Sequence, residues 1–304
     1  MAASFPFVLN LVAGSAGLPE ARARTIQSAA RFAARLGDVD FLAPGRACDI
    51  PFDGDPDAVI ASLRAVVEDE WLLDINIIPT ANRRKKLLVA DMDSTIIGCE
   101  CIDELADMAG IKPQVSAITE RAMRGELDFP SALRERVALL KGLNLEALAR
   151  VYAERVRLNR GAKTLLATMR ANGGRALLVS GGFTYFTQRV AADADFDENQ
   201  GNILYDDGNA LTGEVGEPIL GREAKLNALE DAVSRFKLDF SDTLGVGDGA
   251  NDLDMIGRSG LGVAYHAKPV VAQAAEAAIS HGDLTGLLFL QGYRESEFAL
   301  PPPN

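Results

Sequence analysis

The sequence contains little cysteine and histidine, and it lacks long uncharged apolar runs. Only three cysteines (Cys48, Cys99 and Cys101) and two histidines (His266 and His281) occur among 304 residues. Three cysteines are too few for a disulfide-stapled secreted module, which favours a reducing, cytoplasmic environment. No apolar stretch approaches the ~20 residues that cross a bilayer, and the N-terminus lacks the basic residues of a signal peptide. We therefore predict a cytoplasmic protein that has no membrane partner.

Basic residues are also in deficit, since 31 lysines and arginines face 43 aspartates and glutamates, a formal charge of −12. A field of this sign repels nucleic acid, so we expect no nucleic-acid partner. Hydrophobic residues make up 48% of the chain and charged residues 24%, which is typical of a folded globular protein and excludes a disordered one. At about 150 residues per domain, the length predicts two domains.

Residues 1–80 predict a small α+β domain. Proline is favoured at the first position of a helix, and the apolar spacing after Pro19 predicts a helix that reaches Leu36, where Gly37 can end it. The other predicted elements are strands at Phe7–Ala13, Val39–Ala43, Ala47–Phe52 and Leu73–Ile78 and a helix at Pro56–Asp69. The resulting β-α-β-β-α-β order is that of a ferredoxin-like sandwich.

Residues 81–304 predict an α/β domain with a parallel sheet, because buried apolar strands alternate with helices. The predicted strands are Leu87–Ala90, Ala176–Val179, Thr243–Val246 and Leu261–Ala264. A largely helical insertion at about 102–160 predicts a cap, and residues 202–211 predict a hairpin around Asp207-Gly208. The first three strands run into polar or glycine-rich segments, which are expected to share one crevice at the carboxyl ends of the strands.

Two carboxylates, Asp91 and Asp93, follow the first of these strands. In an extended chain they project to the same side and can meet one reacting group. Two carboxylates this close need a cation or a proton between them. The alternative is that Asp93 and the following Ser94-Thr95 only cap a helix.

Two further loops carry groups that suit a phosphate and a metal. Backbone N–H groups of Ser180-Gly181-Gly182 can surround an anion, although Gly-Gly after a strand can equally be a plain turn. The segment Gly245–Asp252 brings Asp248, Asn251 and Asp252 to a strand end, where their oxygens suit a hard cation such as Mg²⁺. That segment holds more polar groups than a turn requires.

These segments together resemble a known family. The order DMDST at 91–95, SGG at 180–182, Lys225 and GDGANDLDM at 247–255 is similar to the four motifs of the haloacid dehalogenase superfamily of phosphatases. Residues 98–104 (GCECIDE), 119–129 (TERAMRGELDF) and 133–137 (LRERV) resemble the cap signature of its phosphoserine phosphatase branch. The resemblance covers about residues 87–290, and it implies a Rossmann-like parallel sheet with a helical cap.

The resemblance also implies roles for the acids. Asp91 would be the nucleophile that forms an aspartyl-phosphate, and Asp93 would be the general acid and then the general base. Mg²⁺ would be held by Asp91, the backbone carbonyl of Asp93 and Asp248. Asn251 and Asp252 would complete or orient that shell.

Binding of the phosphoryl group is implied for Lys225, Ser180 and the Gly181 amide, which would neutralise its equatorial oxygens. The resemblance implies that Asn251 also contacts the substrate.

The cap would select the substrate. In the family pattern Glu100 binds an ammonium, Arg136 grips a carboxylate, and Met123 and Phe129 close an apolar lid. The alternative is that these residues are ordinary for a helical cap, which exposes Glu and Arg and buries Met and Phe.

The implied activity is Mg²⁺-dependent hydrolysis of O-phospho-L-serine to L-serine and phosphate, the last step of L-serine biosynthesis. Alternatives are a phosphotransferase or a broader phosphomonoesterase of the same superfamily, or an amino-acid-sensing regulator without activity. The N-terminal element order resembles ACT-like domains, which bind amino acids or mediate dimerisation. A homodimer through this domain is therefore a further expectation.

Overall fold

The computed structural model describes residues 5–300. Its N-terminal part is an antiparallel sheet with two helices. The strands are β1 (Phe7–Ala13), β2 (Ala34–Leu36), β3 (Asp40–Ala43), β4 (Ala47–Gly54) and β5 (Leu73–Pro79), and the helices are α1 (Glu20–Ala30) and α2 (Pro56–Leu63). The strand order is β2-β4-β1-β5, and β3 also pairs with β4. Buried side chains of β1, β4, α1 and α2, such as Leu9, Ile26, Ile50 and Val59, form its core.

Two predicted helices in this part are too long. Helix α1 ends at Ala30, and Ala34–Leu36 form a strand that pairs with Phe52–Gly54 of β4. The apolar spacing that predicted a helix to Leu36 also fits this strand, in which only the central Arg35 is exposed. Helix α2 ends at Leu63 rather than Asp69, and acidic residues would oppose the helix dipole at a C-terminus there.

The second sheet has six parallel strands in the order β13-β12-β11-β6-β7-β8. Its strands are β6 (Leu87–Ala90), β7 (Arg175–Phe183), β8 (Glu198–Asn202), β11 (Thr243–Gly247), β12 (Gly262–Tyr265) and β13 (Ala277–Ile279). Every residue of β6 is apolar and buried, as expected for an inner strand covered on both faces. The predicted α/β class with a parallel sheet is confirmed.

Helices lie between these strands, and one more follows the last strand. They are α3 (Cys101–Met108), α4 (Lys112–Met123), α5 (Phe129–Leu139), α6 (Leu145–Arg155), α7 (Ala162–Ala171), α8 (Thr184–Ala194), α9 (Arg222–Phe236), α10 (Leu253–Arg258), α11 (Pro269–Ala274) and α12 (Gly286–Leu290). Helices α3 to α6 form the predicted insertion between β6 and β7. Across residues 5–300, each helix is too short or too polar to cross a bilayer.

The predicted hairpin is formed by β9 (Leu204–Asp206) and β10 (Leu211–Val215). Its backbone also bonds to the loop before α6, since Gly142 N donates to Leu211 O at 2.8 Å and Leu145 N donates to Asn209 O at 3.0 Å. The hairpin thus joins the insertion to the edge of the parallel sheet.

The two sheets meet through buried polar side chains. The Asn76 amide bonds to both backbone groups of Ala278 on the edge strand β13, at 3.0 and 2.8 Å. Asp74 accepts hydrogen bonds from the backbone N–H groups of residues 280–282. Asp49 is paired with Arg83, which also donates to Leu290 O at 2.6 Å. The antiparallel sheet therefore covers the exposed edge of the parallel one, while the boundary between domains at residue 80 stays a prediction.

Candidate active site

The carboxyl ends of three neighbouring strands carry the site. Strand β6 pairs with β11 on one side and with β7 on the other, all parallel. Asp91 follows β6, Ser180 lies near the end of β7, and Asp248 follows β11. Parallel pairing therefore brings these three side chains to the same edge, in the crevice expected from the sequence.

Asp91 and Lys225 form a buried ion pair at this edge. Lys225 Nζ lies 2.5 Å from Asp91 Oδ1 and 2.5 Å from Asp252 Oδ1. Lys225 is 1% exposed and Asp252 is fully buried. Burial by itself would lower the pKa of Lys225, but the two carboxylates outweigh burial and raise it, so the lysine is held as a cation.

One lysine does not balance the acids around it. Carboxylate oxygens of Asp91, Asp248 and Asp252 all lie within 4.8 Å of one another. Burial, followed by repulsion from Asp252, raises the pKa of Asp91 well above its usual value and that of Asp248 to about 6. A cluster of hard oxygen donors with excess negative charge fits a divalent cation. The residues present thus suit the metal that the sequence implies.

Asp93 lies in a tight turn at residues 92–96, where Ser94 adopts a φ of 58°. The Asp93 carboxylate accepts a hydrogen bond from Cys101 N at 2.9 Å and one from Ser180 Oγ at 3.2 Å. Burial, followed by repulsion from Glu100, raises its pKa to about 6. A carboxyl group with this pKa can both donate and accept a proton near neutral pH.

Residues 180–182 form an irregular segment at the end of β7, called here the Ser180–Gly182 loop, which packs too closely for side chains at 181 and 182. A Cβ on Gly182 would lie 2.8 Å from Asp93 Oδ2, and one on Gly181 would lie 2.9 Å from Phe129 Cζ. Gly182 N donates to Ser180 Oγ at 2.8 Å. The loop therefore packs directly against Asp93 on one side and the first residue of α5 on the other.

Two charged residues, one just before the insertion and one within it, face this region. Glu100 is exposed and accepts a hydrogen bond from Ser94 Oγ at 2.6 Å. Arg136 is half-buried, and its Nε donates to Ala132 O at 3.2 Å. Burial lowers the pKa of Arg136, although Asp103 and Glu100 oppose that shift. Within the described part of the chain Arg136 has no carboxylate within 4.0 Å, so its charge is available to a ligand.

The remaining residues implied by the sequence differ in position. Phe129 lies over Gly181 and Gly221, at the mouth of the site. Met123 is at the end of α4 and is 69% exposed, so the structure does not bring its side chain to the carboxylates. Asn251 is exposed beside Gly249. Its substrate role and the lid role of Met123 stay predictions.

Asn202 is a residue that sequence reasoning missed. It was assigned only to the start of the hairpin, yet it is 2% exposed and its side chain bonds to the backbone of Gly181 and Leu220. The other residues of β8 are half-buried and its sequence is ENQGN, so no local signal distinguished Asn202 from its polar neighbours.

The comparisons with known proteins agree with this geometry. The family model of haloacid dehalogenase-like hydrolases matches residues 88–257. The chain belongs to the haloacid dehalogenase-like hydrolase family. A phosphoserine phosphatase of Archaeoglobus fulgidus is 44% identical over 237 residues, which cover 77% of this chain and 69% of that protein.

Two solved structures extend the comparison. An unliganded structure of a probable phosphoserine phosphatase from Vibrio cholerae has a TM-score of 0.77 and 30% identity, and the match covers 96% of this chain and 88% of that one. A phospho-aspartyl intermediate analogue of a phosphoserine phosphatase has a TM-score of 0.62 and 36% identity, covering 67% of this chain and 98% of that one. The similarity to the Vibrio cholerae protein thus includes both sheets.

Proposed function

We propose that the protein is a phosphoserine phosphatase that uses Mg²⁺ and hydrolyses O-phospho-L-serine to L-serine and phosphate. The observation that carries this proposal is the buried pair of Asp91 and Lys225 beside Asp93, in a chain 44% identical to a phosphoserine phosphatase. In cells such a reaction would complete L-serine biosynthesis.

In the first step an oxygen of Asp91 attacks phosphorus, and the bond from phosphorus to the serine oxygen breaks. Asp93 gives its proton to that oxygen, which leaves as the hydroxyl of L-serine. The raised pKa of Asp93, about 6, supports this role because part of the population is protonated near neutral pH. The phospho-aspartyl analogue in the related phosphatase supports the covalent step.

In the second step water attacks the phosphorus of the aspartyl-phosphate, and Asp93 accepts a proton from the water. The bond between phosphorus and the Asp91 oxygen breaks, which releases phosphate and restores the carboxylate. Lys225, Ser180 and the Gly181 amide would hold the equatorial oxygens through both steps. Phe129 over the glycine loop would limit the entry of bulk water.

The cation would be held by Asp91, the backbone carbonyl of Asp93 and Asp248, with Asp252 beside them. When bound, it would supply positive charge against the oxygens of the phosphoryl group. The excess of carboxylates over lysine within 4.8 Å supports a divalent cation in this place.

Recognition of the amino-acid head would fall to the insertion. Glu100 would bind the ammonium and Arg136 the carboxylate, since a guanidinium suits bidentate pairing with a carboxylate. The lack of an ion-pair partner for Arg136 among the described residues supports this assignment.

Phosphate release from O-phospho-L-serine with MgCl₂, compared with the same assay in EDTA, tests the proposal. We expect activity that EDTA removes and that Mg²⁺ restores. The same assay should be run on two other phosphate esters, p-nitrophenyl phosphate and glycerol phosphate. Adding free glycerol as an acceptor would reveal phosphotransfer. Equal rates on all esters, or no release from phosphoserine, would contradict the assignment.

Two further expectations stand as part of this proposal. A homodimer through the N-terminal domain is supported by Phe32, which follows α1 and is 94% exposed. Light scattering would compare the molecular mass of wild type with that of Phe32→Ser. The same mass for both proteins would contradict a dimer contact at Phe32. A cytoplasmic location is supported by three free cysteines, and cell fractionation would test it.

A further inference from the structure

We propose that Asn202 is a positioning residue that sets the Ser180–Gly182 loop relative to Lys225, so that groups from two separate elements meet one phosphoryl group. This inference rests on the proposed function. Asn202 does not reach the crevice itself, and its effect is transmitted through the backbone.

The side-chain amide of Asn202 is fully used. It lies at the end of β8, the edge strand of the parallel sheet, and is 2% exposed. Its Nδ2 donates to Gly181 O at 2.8 Å and to Leu220 O at 3.1 Å, while its Oδ1 accepts from Leu220 N at 2.7 Å. One amide therefore forms hydrogen bonds with two backbone segments, at Gly181 and Leu220, that are about 40 residues apart in the sequence.

The bond to Gly181 fixes the orientation of a peptide group. In a planar trans peptide the C=O and the next N–H point in opposite directions. With Gly181 O directed to Asn202, Gly182 N is directed to Ser180 Oγ, 2.8 Å away. Ser180 Oγ in turn donates to Asp93 Oδ2 at 3.2 Å. The orientation of the Ser180 hydroxyl thus depends on the amide at position 202.

The bonds to Leu220 fix the start of α9. Leu220 precedes the first residue of that helix, Arg222, by two positions, and Lys225 lies in the first turn. Both backbone groups of Leu220 bond to Asn202, so the entry of the helix cannot shift without breaking them. The position of Lys225 and that of the loop that carries Ser180 are therefore both fixed by Asn202.

A buried asparagine that bonds to backbone is often only structural, and the chain provides a matched control. Asn76 is 6% exposed and likewise bonds through both amide atoms to one residue, Ala278. It lies between the two sheets and is not part of the proposed site. A purely structural role predicts that the same substitution at either position lowers stability and nothing else.

The test compares Asn202→Asp with Asn76→Asp, since each change keeps the shape and replaces an N–H donor by an acceptor facing a carbonyl. Binding of inorganic phosphate with MgCl₂ would be measured by calorimetry, and kcat and KM would be measured on O-phosphoserine. For Asn202→Asp we expect kcat/KM to fall about ten- to a hundredfold, as for misplaced catalytic groups, and phosphate to bind about tenfold more weakly. For Asn76→Asp we expect a lower melting temperature. Its kcat/KM and its affinity for phosphate should both stay within about twofold of wild type.

Asn202→Ala is the second variant, because it removes the three hydrogen bonds without placing a carboxylate against a carbonyl, and it should also weaken phosphate binding. Wild-type phosphate affinity in a folded Asn202→Asp variant would overturn the inference. Equal losses in Asn76→Asp, or failure of both Asn202 variants to fold, would assign Asn202 a structural role and would overturn it as well. Failure of the proposed function looks different, since wild type would then bind phosphate without hydrolysing O-phosphoserine.

Discussion

The molecule contains two clusters of buried polar side chains that are built differently. Where the N-terminal sheet packs against the rest of the protein, Arg83 pairs with Asp49 and donates to two backbone carbonyls of α12, and Asp74 accepts three backbone N–H groups. At the carboxyl ends of β6 and β11, three carboxylates lie within 4.8 Å of one another, and one lysine pairs with two of them. The first cluster pairs nearly every charge with a partner inside the protein, whereas the second leaves charge uncompensated.

The difference separates structural from functional burial. A buried charge that is fully paired mainly fixes a geometry, and removing one partner costs stability. A buried charge without a partner costs stability in the free protein and is retained when a ligand supplies the missing charge. The half-buried Arg136, without a carboxylate within 4.0 Å in residues 5–300, belongs to the second kind, and Arg83 belongs to the first.

The largest expected effect is the loss of turnover in Asp91→Asn. Without the attacking carboxylate, we expect phosphate release from O-phosphoserine to fall by about 10⁴-fold or more. Stability should be maintained or increase, because one of several mutually repelling acids is removed. Phosphate release and thermal unfolding are the two measurements, and a marked loss of stability would place Asp91 with the structural cluster.

Arg136→Ala should distinguish recognition of the amino-acid head from recognition of the phosphate. We expect KM for O-phosphoserine to rise about a hundredfold, since a charged hydrogen-bonded contact is lost, with little change for p-nitrophenyl phosphate. Arg83→Ala is the matched arginine control and should leave both KM values unchanged. Equal losses on the two substrates would remove Arg136 from substrate recognition.

Asp49→Asn addresses the interface between the sheets. The Asp49 side chain is 7% exposed and that of Arg83 is 12% exposed, so we expect a loss of about 2 kcal/mol in the free energy of unfolding from weakened charged hydrogen bonds. Urea denaturation measures this loss, and kcat on O-phosphoserine should stay at the wild-type value. A large loss of kcat would show that the two clusters are coupled.

The smallest expected effect is the pH dependence of stability in EDTA. The pKa of Asp248 is about 6 in the folded protein against an ordinary 3.8, so its ionisation costs stability above pH 6. As the pH falls from about 7 to about 5, the carboxyl binds a proton in the folded state only, and the free energy of unfolding should rise by about 1 kcal/mol.

Asp248→Asn removes this titration, so its stability curve should be flatter than that of wild type by the same amount. Urea denaturation at the two pH values measures the difference. Parallel curves for the two proteins would contradict a raised pKa at this position.

Some of this structure could be predicted from local sequence. The buried run Leu87–Ala90 has the same bounds in the structure as in the prediction, because an inner parallel strand needs apolar residues on both faces. The end of α1 could not be predicted in this way, since Ala34–Leu36 leave the helical pattern only when β4 offers a pairing edge.

The residues of the site also divide into those that local sequence predicts and those that only the tertiary structure reveals. Residue type and position after a strand identified Asp91, Asp93 and Asp248 as candidates, and the resemblance to a family added Lys225. Asn202 was missed since its partners, Gly181 and Leu220, lie about 20 residues away in either direction. A side-chain bond across that distance has no local pattern.

The sequence by itself determined the two layers of this protein, the strand ends that carry chemistry and the types of side chain placed there, because these follow from periodicity and local residue type. Only the tertiary structure decided which charges are compensated. Arg83 and Arg136 are the same type of residue, but Arg83 pairs with Asp49 of β4, whereas Arg136 has no carboxylate within 4.0 Å in residues 5–300 and donates to a carbonyl of its own helix. The physical reason is that the balance of charge around a buried group depends on neighbours from distant segments, which only folding brings together.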